Sequence, residues 1–139
     1  MLLDKKEWLV AIFAIAITVP GVWYYFFNPY YVKNKILDPG ISDTICVTPH
    51  KIDDKKLIIK LNGESSTNYS LKLNLFSRQK DSQRLASVHS EMVNIPAGNF
   101  NGSFTRNFQA NIPAEKAEII FLPNNKTAKG KINIEAGIF

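Results

Sequence analysis

Two hydrophobic patterns divide this chain. From Trp8 to Phe27 the sequence reads WLVAIFAIAITVPGVWYYFF, and only Thr18, Pro20 and Gly21 are neither aliphatic nor aromatic. From Ile41 onward, apolar and polar positions alternate in short runs broken by Gly, Pro and Asn. The first pattern predicts a helix that is apolar on every side. The second predicts half-buried antiparallel strands.

Twenty helical residues span about 30 Å, the hydrocarbon thickness of a bilayer. A backbone in lipid must satisfy its own hydrogen bonds, which a helix does. A domain of about 100 residues has little interior in which to bury such a helix. The expectation is therefore a short leader at 1–7 and a transmembrane helix at 8–27. A cleaved signal peptide fits less well. The small-residue site Ala14-Ile15-Ala16 follows an apolar stretch of about six residues, and cutting there leaves a strongly apolar new terminus.

Aromatic residues mark both ends of this helix. Trp8 stands at the first edge; Trp23, Tyr24, Tyr25, Tyr30 and Tyr31 crowd the second, with Phe26 and Phe27 between them. Amphipathic rings settle at headgroup level, but so dense a group exceeds what one anchor requires. Pro20 removes one helix hydrogen bond and Gly21 adds no side chain, so the helix is expected to bend there; the bend either seats it against a neighbour or is an irregularity such helices tolerate. Trp8, Pro20, Gly21, Trp23, Tyr24, Tyr25, Phe26, Phe27, Tyr30 and Tyr31 form the expected partner-binding face, its partners being integral membrane proteins and the bilayer.

Asn28-Pro29 ends the helical pattern and Asp38-Pro39-Gly40 signals a turn, so residues 28–40 read as a juxtamembrane aromatic tether. Beyond it seven runs qualify as strands: Thr44–Thr48, Lys56–Leu61, Tyr69–Ser77, Leu85–Ile95, Gly102–Ala110, Ala117–Leu122 and Lys131–Ala136. In the third, Tyr69, Leu71, Leu73 and Leu75 point one way while Ser70, Lys72 and Asn74 point the other. In the fifth, Phe104, Phe108 and Ala110 share a face with Arg106. About seven strands over 41–139 predict an immunoglobulin-like antiparallel β-sandwich, with a small barrel as the structural rival.

Charge and chemistry change this picture little. Of 17 Lys and Arg and 12 Asp and Glu, 15 and 10 lie in residues 33–139, a net +5 there. The basic residues are scattered, which suits a solvated surface or anionic headgroups and excludes a nucleic-acid reader. Cys46 is the only cysteine, so no internal disulfide forms; its place between Ile45 and Val47 suggests a quiet buried thiol. Cys46, His50, His89 and Met92 include the donor types copper accepts, but Cys46 lies too early to share one late loop with the others. No Ser–His–Asp arrangement, phosphate loop or zinc motif occurs. No enzyme activity, cofactor, metal or small-molecule substrate is therefore expected. Sequons begin at Asn68, Asn101 and Asn125.

These features point to a non-catalytic accessory subunit of a multi-subunit complex in the inner (plasma) membrane. The helix packs against integral subunits, and the β domain covers their extracytoplasmic, periplasmic face. The layout, an amino-terminal helix followed by a small β domain, resembles the single-pass assembly proteins of haem–copper oxidases, the FixH/CcoH type. That resemblance implies an assembly factor for a membrane oxidase. The other alternative is a membrane-tethered recognition or adhesion module.

Overall fold

The computed structural model describes residues 4–27, 32–51, 54–78, 84–108 and 113–139, the side chains of 23–27 excepted. The chain divides into two units, Met1–Tyr30 and Tyr31–Phe139.

The first unit is helix α1 (Lys5–Phe27). It begins inside the expected leader because Asp4 and Glu7 cap it. The Lys5 N–H donates to Asp4 Oδ1 (2.7 Å), and the Asp4 N–H donates to Glu7 Oε2 (3.1 Å). The second bond is the returning half of a capping box. Thr18 donates its hydroxyl to the Ala14 carbonyl at 2.8 Å, which satisfies a polar group in an apolar stretch. Among the described residues no helix is long and apolar enough to cross a membrane. The described side chains of α1 begin with Lys5, Lys6 and Glu7, and the apolar part from Trp8 to Val22 covers about 22 Å at 1.5 Å per residue. The expected spanning helix is thus helical and apolar where described, but not of spanning length there.

Among the described residues the second unit contains eight strands: β1 (Lys33–Leu37), β2 (Asp43–Val47), β3 (Lys56–Ser65), β4 (Tyr69–Arg78), β5 (Leu85–Ile95), β6 (Gly98–Asn107), β7 (Ala114–Pro123) and β8 (Gly130–Ile138). They form two four-stranded sheets, ordered β1-β8-β3-β6 and β2-β7-β4-β5, with every pairing antiparallel. The pairs β4·β5, β3·β6, β2·β7 and β1·β8 nest inside one another and alternate between sheets. This is a long hairpin folded over itself, the eight-stranded jelly roll. It corrects the immunoglobulin-like expectation, whose order places β1 beside β2. The added strand is β1, which lies within the stretch read as tether.

Alternation builds the core. Leu57, Ile59 and Leu61 of β3, Leu71, Leu73 and Leu75 of β4, and Ile132 and Ile134 of β8 are all essentially inaccessible between the sheets. Tyr69 joins them, its ring 5.1 Å from that of Phe121. Two glycines permit a close crossing of β3 and β8. Gly63 (φ +147°) lies opposite Ile132, and Gly130 (φ +135°) opposite Ser65. A Cβ at Gly63 would lie 2.1 Å from the Lys131 carbonyl oxygen; one at Gly130 would lie 2.2 Å from that of Glu64.

Candidate functional site

A sandwich made this way has two lateral openings, each flanked by two edge strands. At one, β1 faces β2; at the other, β5 faces β6. Each opening is bridged by an ion pair joining the sheets. Lys35 of β1 donates to Asp43 of β2 at 2.7 Å, and its hydrogen bond, reinforced by its charge, holds the Asp43 carboxyl below the ordinary value despite some burial. Arg106 of β6 pairs with Glu91 of β5.

The β5/β6 opening is the less completely closed. β6 turns Phe100, Gly102, Phe104 and Arg106 inward, and all four remain half-buried. The rings of Phe100 and Phe104 lie parallel, centroids 5.8 Å apart, with the Phe100 ring over Gly102. Across from them, β5 contributes Val88 and Val93, also half-buried against the core. The β5 alternation changes phase after Val88, because Leu75 pairs with His89 while Phe76 pairs with Ser87. This bulge brings Glu91 inward toward Arg106.

Glu91 is the hub of the opening. Its Oε1 accepts from Arg106 Nε and its Oε2 lies 3.2 Å from His89 Nε2; the Arg106 guanidinium also donates to the Thr105 carbonyl at 2.8 Å. Burial pushes the Glu91 carboxyl up. Hydrogen bonds and charge from His89 and Arg106 outweigh it and hold the carboxyl below its ordinary value. Beside this group is a cavity of about 220 Å³ lined by Leu75, Val88, His89, Glu91, Arg106, Asn107 and Phe108. No serine, threonine or cysteine is among the described residues that line it.

The expected partner-binding residues are placed unevenly. Trp8 is exposed on α1, and Pro20 and Gly21 are exposed within it. Trp23, Tyr24, Tyr25, Phe26 and Phe27 belong to the helix by backbone, but their side chains lie outside the description; Tyr30 and Tyr31 lie outside the described residues. Cys46 is exposed, correcting the buried-thiol expectation. Alternation holds, with Ile45 and Val47 inward and Cys46 outward opposite Glu118. Sequence reasoning missed the Glu91–Arg106 pair. The signal was a charged Arg106 on the same strand face as Phe104, since an inward charge requires a partner.

No protein-family model matches the chain, and no curated protein matches it. Among solved structures it is similar to the enzymatically active domain of bacteriophage CBA120 tailspike protein 4, with 12% identity and a TM-score of 0.46 over 84% of this chain and 20% of that one. It is also similar to a CBM4 structure (13%, TM-score 0.39, 76% of this chain and 68% of that one) and to a family 16 carbohydrate-binding module (8%, 0.43, 77% and 74%). The chain spans about a fifth of the length of that tailspike domain.

Proposed function

We propose that this protein is a membrane-tethered, non-catalytic accessory subunit, with α1 and its aromatic end as the anchor and the jelly roll as an interaction domain on the extracytoplasmic side of the inner (plasma) membrane. One observation carries the reading. Trp8, Leu9, Val10, Ile12, Phe13, Ile15, Ile17, Val19 and Val22 are all more than half exposed and wind around every face of the helix. At about 1.5–3 kcal/mol per fully buried large side chain, their exposed fractions represent on the order of 8–17 kcal/mol of burial free energy still unrealised. Lipid and an integral membrane partner are the surroundings that realise it. In sequence the apolar run continues to Phe27, which completes a length of about 30 Å.

The test is purification of the full chain at native expression in mild detergent, followed by mass spectrometry. Integral membrane subunits in fixed ratio support the reading. Recovery of the chain alone, or with soluble ligands only, refutes it. A second reading, a tethered recognition module, draws on the open depression of about 420 Å³ at the β3–β4, β5–β6 and β7–β8 loops. Its lining includes Asn68, Ser70, Asn94 and Asn124, which suit a polar ligand.

A further inference from the structure

Edge strands expose unpaired backbone donors and acceptors, and natural sheets disarm them with shortness, lysines, bulges or inward charges. Three of the four edges here are disarmed. β1 has five residues and carries Lys33 and Lys35; β2 has five residues; β5 is bulged at Val88 and turns Glu91 inward. β6 is different. It runs ten residues, Gly98–Asn107, and pairs with β3 without a register shift. Its one charge, Arg106, is already neutralised by Glu91.

We propose that the free edge of β6 pairs with β6 of a second copy of this chain, antiparallel about a two-fold axis at Gly102. The occupant follows from the strand's own sequence, Phe100-Asn101-Gly102-Ser103-Phe104, which is nearly symmetric about its centre. In that register Phe100 meets the partner's Phe104, and Phe104 meets the partner's Phe100. The four half-buried rings thus cover one another on the inner face. On the outer face Asn101 lies opposite the partner's Ser103 and Asn99 opposite the partner's Thr105, matching polar with polar. Gly102 carries no Cβ, which leaves room for the Phe100 ring over the axis on the inner face. The two Arg106 residues are eight positions apart, about 27 Å at 3.4 Å per residue. That exceeds a Debye length of about 10 Å, so their repulsion does not oppose pairing. The contact is isologous and closes at two copies. It joins two four-stranded sheets into one of eight strands and does not depend on the membrane reading.

The experiment measures the mass of the full chain in detergent by sedimentation, corrected for bound detergent, beside the N101K/S103K variant. Both replaced residues are exposed; Ser103 lies opposite Lys60 of β3, so its replacement costs some stability, and the unfolding curve verifies that the variant stays folded. It sets lysines opposite lysines across the axis. The expected result is twice 15.7 kDa for the wild type and once for the variant. A monomeric wild type overturns the proposal, as does a dimer indifferent to the two lysines, which would place the contact elsewhere. A second variant, C46S/N101C/S103C, is expected to oxidise to a covalent dimer. If it stays uncrosslinked while dimeric, the two-fold register is wrong.

Discussion

Replacing Gly63 with alanine is expected to be among the most damaging small changes in the sandwich. Two costs combine. The backbone at Gly63 has φ +147°, which a side chain rarely adopts, at about 1–3 kcal/mol. The new Cβ also meets the Lys131 carbonyl oxygen at 2.1 Å and the Ile132 Cα at 2.9 Å. Both are main-chain atoms of the paired strand, so relief requires shifting β8, at about 1–3 kcal/mol more. The sum, about 2–6 kcal/mol, is a large part of the 5–15 kcal/mol that holds a typical domain folded. At about 4–8 °C per kcal/mol for a domain near this size, Tm falls by at least about 8 °C. Gly98 supplies the control. It has φ +105°, yet a Cβ added there would meet nothing within 4 Å, so Gly98→Ala carries the conformational cost alone. Thermal unfolding of the full chain, followed by circular dichroism, compares the two. Equal Tm losses for Gly63→Ala and Gly98→Ala would refute the close β3–β8 crossing.

Other outcomes follow from single groups. The Glu91 carboxyl is held below its ordinary value of 4.5, so its contribution to stability is complete above that pH and is lost as pH falls through the lowered value. Tm measured down a pH series should therefore drop more steeply below 4.5 for the wild type than for Glu91→Gln, and parallel curves would contradict the Glu91 assignment. Ser77 buries a hydroxyl with no hydrogen-bond partner among the described residues. Ser77→Ala removes an unsatisfied polar group and is expected to leave stability unchanged or raise it by up to about 1 kcal/mol in a denaturant titration; a loss above about 1 kcal/mol would reveal a partner for the hydroxyl. Cys46 is exposed, so a maleimide should label the native chain nearly as fast as the unfolded one, and strong protection would return the thiol to the interior.

What could be read from the sequence follows burial on one face. β4 alternates Tyr69, Leu71, Leu73 and Leu75 with polar residues because it is central in its sheet, and its pattern is visible without a structure. β1 is an edge on which only Leu37 is buried, so Lys33-Asn34-Lys35 resembles a linker. The first half of β6 is Gly98-Asn99-Phe100-Asn101, whose Gly and Asn mimic a turn, and half-exposure of an edge strand weakens the alternation that would have revealed it. Strand order is a different kind of information. Whether β1 pairs with β2 or with β8 depends on contacts between residues as distant as Lys33 and Ala136, and no local period encodes those. The Glu91–Arg106 pair was hidden for a related reason, since its members sit on edge strands of different sheets.

The proposed function depends most on α1 being a membrane anchor. Alkaline carbonate extraction of membranes from cells expressing the full chain tests that directly. An anchored chain stays with the membrane pellet and is released only by detergent, which is the expected result. Release into the supernatant alongside peripheral proteins would contradict it.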